Sequence, residues 1–199
     1  MAPVKVDPEK LFEFADEQRF NDWLSKHHDT ADEVWIRIYK TDSGLATITP
    51  KQAIDVALCW GWIDGLRKGL DDTSFLQRYT RRRPRSIWSR INVDNVARLI
   101  EEGRMTEHGL AQVEAAKADG RWDRAYESGQ AMTIPEDLQA AIDADPAARE
   151  MFARLNAQNR FALAFRTRNM KTAAGRAKKI ETFVQMLRRG ETIYPQKKS

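Results

Sequence analysis

Residues 60–92 concentrate the side chains best suited to grip a small molecule. Trp60, Trp62 and Trp88, three of the six tryptophans, lie there with Asp64, Lys68 and the arginines Arg78, Arg81, Arg82, Arg83, Arg85 and Arg90. No acid interrupts residues 73–93, so that part carries a net +6. A guanidinium offers a planar fork of donors that matches the oxygens of a carboxylate or phosphate, and an indole offers a flat face with one donor. Asp64 follows two tryptophans and sits between Ile63 and Gly65. A carboxylate against aromatic surface has a raised pKa and can act as an acid or base. The competing structural reading pairs it with Lys68 or an arginine of the run, or has it accept turn N–H bonds. Ser86 and Ser89 flank Trp88 and the run ends at Asn92, but no Gly-x-Ser-x-Gly elbow activates either serine, and helix capping explains them better.

One further arginine belongs with this set. On the last helix Ile180, Phe183, Val184 and Leu187 define a buried face, and Arg176, four residues before Ile180, falls on it. It is expected either to form an ion pair with an acid such as Asp64 or Asp71, or to join Arg83 and Arg85 around an anion. The candidate ligand-binding set is therefore Trp60, Trp62, Asp64, Lys68, Arg83, Arg85, Ser86, Trp88, Asn92 and Arg176, with no catalytic residue assigned. No cofactor or metal is expected. The histidines stand only at 27, 28 and 108, the adjacent pair has rings that diverge on a helix, and Gly61, Gly65 and Gly69 match no phosphate loop.

Charge distribution sharpens the partner question. The net charge is only +4, but residues 101–150 hold twelve acids against five bases, and residues 156–190 hold nine bases against the single acid Glu181. Two basic blocks separated by an acidic one suit an anionic small molecule or an acidic partner. An enzyme using Asp64 in the same pocket is the alternative. Nucleic-acid binding through the Arg78–Arg90 run, with Tyr79 and Trp88 for stacking, is a second alternative, set back because the pI of 9.2 comes from separate blocks. No apolar run approaches 18 residues and the N-terminus is too polar for an export leader, so the expected compartment is the cytoplasm. The lone Cys59 in an apolar run fits a reducing environment and a core thiol.

The elements that must position these residues read as α+β. The expectation is a small antiparallel sheet with helices in residues 1–90 and an all-helical part in residues 91–199, together one compact unit. Residues 34–40 are the clearest strand, residues 62–65 and 74–80 form two more, and residues 11–14 are a candidate short one. Asp16 caps a first helix. Thr49, Pro50 and Gln52 read as a capping box with proline at the first position, opening a second helix that ends near Trp60. Asn92 is the expected cap of a third helix, Thr106 opens a fourth, and Pro135, Pro146, Ala157 and Thr172 mark four more. Residues 121–126 form a loop laid over the core.

These residues resemble a known family. The pattern Ala57-Leu58-Cys59-Trp60-Gly61-Trp62-Ile63-Asp64-Gly65, then Arg83-Pro84-Arg85-Ser86-Ile87-Trp88-Ser89, then Gly120-Arg121-Trp122, Ile134-Pro135 and Arg176 with Lys179-Ile180, is similar to that of bacterial YdeI/OmpD-associated, or bacteriocin-protection, proteins across nearly the whole chain. The resemblance implies a bacterial stress-protection role and supplies no catalytic residue. At Thr80-Arg81-Arg82-Arg83 the chain departs from the family, where proline usually follows the threonine.

Overall fold

The computed structural model describes residues 5–127 and 133–196. Its contacts group into two compact units, Met1–Tyr126 and Glu127–Ser199. The division falls later than residue 90 because one helix serves two cores. That helix, α2 (Pro50–Cys59), sends Ala53, Val56 and Ala57 to the sheet, and Leu58 and Cys59 to the helices that follow. Its start is the expected capping box: the Thr49 hydroxyl accepts from the Gln52 N–H, and the Gln52 side chain accepts from the Thr49 N–H at 2.9 Å.

In the first unit β1 (Leu11–Glu13), β2 (Glu33–Tyr39), β3 (Trp62–Gly69) and β4 (Ser74–Arg81) form one sheet in the order β1-β2-β4-β3. The β2–β4 and β3–β4 pairs are antiparallel, but β1 runs parallel to β2, so the sheet is mixed and not antiparallel throughout. The cause lies in the connection. Helix α1 (Glu17–His27), capped by Asp16, carries the chain back to the end where it began, and a helical crossover returns the next strand parallel. β3 also runs four residues beyond the expected Gly65, through a register shift between Asp64 and Arg67.

One sheet face packs on α1 and α2. Phe20 and Leu24 of α1 and Ala53, Val56 and Ala57 of α2 meet Val34, Ile36, Ile38, Trp62 and Tyr79. Beyond α2, α3 (Arg90–Glu101) and α4 (Glu107–Ala118) close a second cluster of Leu58, Cys59, Trp88, Val93, Val96, Leu99 and Val113. Ser89, not Asn92, caps α3. The Ser89 hydroxyl accepts from the Asn92 N–H, and Asn92 is buried in the first turn. Buried Asp55 ties α2 to α3 by accepting from Arg98 at 2.7 Å.

Two glycines set how closely α4 approaches. A Cβ on Gly109 would stand 2.3 Å from the Cys59 carbonyl oxygen, so α4 rests directly on the backbone end of α2. Gly61 has φ 72°, and a Cβ there would stand 2.9 Å from the His108 carbonyl oxygen. Only glycine meets both demands. The Trp60-Gly61-Trp62 turn is thereby pressed against the first turn of α4.

The second unit is helical among its described residues: α5 (Glu136–Asp143), α6 (Pro146–Ala153), α7 (Ala157–Arg168) and α8 (Ala173–Arg188). Leu138, Ile142, Ala148, Leu163, Phe183 and Leu187 form its core. Asp145, Asn156 and Thr172 cap α6, α7 and α8. The acid Asp145 followed by Pro146 is the sort of start that local sequence announces.

Candidate functional site

Where β4 ends, the arginine run divides. Arg78 and Arg81 are bound to acids: Arg78 Nε donates to Glu33 at 2.6 Å, and Arg81 donates to Asp32 at 2.6 Å and to the Asp29 carbonyl at 3.0 Å. Arg83 and Arg85 are exposed. Arg82 turns inward and is only 6% exposed. Its guanidinium carbon lies 3.5 Å from the centre of the Trp88 ring, and Nη1 donates to the Ile87 carbonyl at 3.3 Å. Its Nε and Nη2 are buried and have no hydrogen-bond partner among the described residues. Burial lowers Arg82 to about 10, so it stays charged at neutral pH with most of its hydration removed.

Arg82 lines a cleft of about 790 Å3 in the first unit. Arg81, Arg83, Asp29 and Asp32 form part of its rim, and Trp60, Gly61 and Trp62 form part of its floor. His28 and His108 complete an aromatic wall. Their ring centres are 4.0 Å apart, and those of Trp60 and His108 are 5.7 Å apart at 16°. The wall is pinned by its edges: Trp60 Nε1 donates to Asn21 at 2.8 Å, and His28 Nδ1 lies 3.2 Å from the Leu24 carbonyl oxygen.

Beside Arg82 lies a polar cluster that the protein only partly satisfies. Asp64 is half-buried and stands opposite Tyr79 in the β3–β4 ladder. Burial raises its pKa, against the opposing pull of Arg82 and Arg67. The Tyr79 hydroxyl and Trp88 Nε1 are also buried without a hydrogen-bond partner among the described residues. Burial, reinforced by the Asp64 charge, pushes Tyr79 up. Trp88 meets Trp122 edge-on, the contact by which the 121–126 loop covers this core.

The structure thus brings Trp60, Trp62 and Arg83 to one cleft and sets Trp88 beneath Arg82. Trp62 is fully buried and donates from Nε1 to the His28 carbonyl at 3.3 Å, so it supports the wall without offering a face. Asp64, Lys68 and Arg85 do not line the cleft. Lys68 is exposed further along β3, opposite Leu76. Ser86 closes a turn by accepting from the Arg83 N–H at 2.9 Å.

Arg176 belongs to the second unit and pairs there with Asp137, not with Asp64 or Asp71. Nε and Nη2 donate to the two carboxylate oxygens at 2.6 and 2.8 Å, and Nη1 donates to the Thr167 carbonyl at 2.9 Å. The pair is 29% and 47% exposed, so it is not the buried pair that the helical phase suggested. It edges an apolar groove of about 660 Å3 beside Ala141, Ala177, Ile180 and Val184.

Cys59 is buried, and burial raises it to about 11, an inert core thiol. No group of acids, histidines and cysteine among the described residues could hold a metal. None of the helices among the described residues is long and apolar enough to cross a membrane.

Two family models divide the chain between them. Residues 12–112, just over half the sequence, match a domain of unknown function, DUF8412, and residues 131–190 match the family described as bacteriocin-protection, YdeI or OmpD-associated. The chain belongs to the DUF8412 family, and its residues 131–190 are similar to the YdeI/OmpD-associated family. The Trp60–Gly65 and Arg83–Ser89 motifs fall in the DUF8412 part, so the bacteriocin-protection match is narrower than the whole-chain resemblance. No curated protein and no solved structure matches the chain.

Proposed function

We propose that the first unit binds a small oxyanion, a carboxylate or phosphate, in the cleft that Arg82 lines, and that it does so in the cytoplasm of a bacterial cell as part of a stress or bacteriocin-protection response. The observation that carries this reading is the under-bonded charge of Arg82 behind the cleft. Its Nε and Nη2 are buried without a hydrogen-bond partner among the described residues, so the guanidinium acts on a cleft anion through its field and not by direct contact. In low-dielectric surroundings such a charge is felt at longer range than in water. The rim arginines add a favourable field at the entrance. The protective setting rests on the name of the family that residues 131–190 match.

Asp64 supports a second, catalytic reading. Its raised pKa and its place opposite Tyr79 in the β3–β4 ladder give a carboxyl group suited to proton transfer. Nucleic acid is the weaker partner. With Arg78 and Arg81 held by acids and Arg82 buried, the run does not present one basic stripe.

Titration of the full chain with inorganic phosphate and citrate, followed by thermal melting, tests the binding reading. Both anions are expected to raise the Tm of the wild type and to leave Arg82→Met unmoved. Absence of any anion-dependent shift in the wild type, or an equal shift in the variant, overturns it.

A further inference from the structure

The second unit carries a groove that its own core only half uses. Helix α8 buries Phe183 and Leu187, yet it presents a further stripe in Ala173, Ala177, Ile180 and Val184, which lines the groove of about 660 Å3 opposite Ala141 of α5. From residue 173 to residue 184 the stripe rises about 17 Å, roughly three turns of helix. The alanines keep its floor low, so another helix can lie in it at the roughly 8–10 Å of ordinary helix packing. The Asp137–Arg176 fork fixes its edge in place before anything binds.

The charges around the groove select among helices. Arg176 is the one base lining it among the described residues, and Asp137 takes up that charge. Glu181 lines it too, and its carboxylate accepts only from the neutral Gln185, at 3.3 Å. Helix α5 contains three acids, Glu136, Asp137 and Asp143, and no base, and all three are exposed. An acidic helix laid in the groove would meet like charge, and a basic one would meet complementary charge. We propose that this groove docks a basic amphipathic helix of a partner, its apolar side along Ala177, Ile180 and Val184 and its lysines or arginines turned to Glu181 and the α5 acids. The site lies in the second unit and is independent of the oxyanion cleft.

Fluorescence anisotropy of the full chain tests this with a labelled helical peptide of leucine and lysine, about 14 residues long so that it covers the stripe. The control is the same peptide with glutamate in place of lysine. The chain is net +4, so non-specific attraction favours the acidic peptide, and a preference for the basic one reports the groove. The lysine peptide is expected to bind about tenfold more tightly than the glutamate peptide. Ala177→Trp fills the groove from an exposed position and is expected to remove that binding while leaving Tm in place. Glu181→Lys is expected to weaken it about threefold, the size of one exposed ion pair. Equal affinity for the two peptides, a preference for glutamate, or lysine-peptide binding that survives Ala177→Trp overturns the proposal. Sedimentation that finds a wild-type dimer and an Ala177→Trp monomer also overturns it, because the occupant is then a second copy of the chain.

Discussion

Arg82 in the first unit and Arg176 in the second are the same side chain in opposite conditions. Arg176 is part-exposed, and all three of its guanidinium nitrogens donate, two to Asp137 and one to Thr167. Arg82 is far more buried and its guanidinium makes one hydrogen bond, with two nitrogens unmatched among the described residues. If these were only structural arginines, the deeper one would be the better satisfied, because unmatched donors are costlier where water is excluded. The order is reversed. Arg176 is satisfied within its own unit, whereas Arg82 stays under-bonded while stacked on Trp88.

The largest expected effect that sharpens this contrast comes from the backbone. Gly61 and Gly190 have nearly the same φ, 72° and 70°, but Gly61 is pressed on His108 and Gln112 while Gly190 has open space. Gly190→Ala is expected to lower stability by about 1–2 kcal/mol, the left-handed penalty alone. Gly61→Ala is expected to lower it by clearly more and to weaken anion binding as the wall shifts. Thermal melts and phosphate titration of the two variants measure this. Equal losses would mean that the close packing around the cleft contributes nothing.

Next are the arginines themselves. Arg82→Met leaves an apolar side chain beside Trp88 and removes an under-bonded charge, so stability is expected to hold or rise while anion affinity falls by tenfold or more. Arg176→Met strands Asp137 from its partner and is expected to lower stability without changing anion affinity. The opposite assignment of the two phenotypes, read by melting and calorimetry, would break the comparison.

The smallest effects are in pH, and their signs are opposite. The Arg176 side chain holds Asp137 below its ordinary value of 3.8. Its contribution to stability is therefore present above that pH and is lost as pH falls through the lower folded value. Burial holds Asp64 above 3.8, so its ionised form is disfavoured in the folded chain. The protein is relieved of that cost below 3.8 and bears it as pH rises through the folded value. Asp137→Asn is thus expected to lower Tm at pH 7, and Asp64→Asn to raise it, both differences shrinking in acid. Melting curves from pH 3 to 7 decide, and a Tm lowered at pH 7 by Asp64→Asn would refute the burial argument.

Much of the fold was legible because its signals are local. Thr49, Pro50 and Gln52 announce a helix start within four residues, and Thr106, Asp145 and Thr172 do so by side-chain chemistry alone. The parallel pairing of β1 was not, since three residues carry no directional pattern. The tryptophan turn of the site was visible, but its two histidines were not. His28 follows one helix and His108 opens another, and only the Gly61 and Gly109 contacts explain why they meet. Arg82 hid for a different reason. The buried phase of β4 at Tyr79 points on to Arg81 and Arg83, and the strand ends at Arg81, so the next residue turns inward against the alternation.

The register shift between Asp64 and Arg67 bears on how copies of the chain behave in a crowd. β3 is an outer strand of the sheet, eight residues long, with Leu66 and Leu70 exposed near its end. A flat rim of that kind would template strand addition from another chain. The bulge bends it, and the cations Arg67 and Lys68 follow immediately. Arg67 is also anchored inward, donating to Gln77 at 2.8 Å and lying over Phe75. The irregularity beside Asp64 thus also serves as a guard against edge-to-edge aggregation, which lets the protein leave those leucines in water.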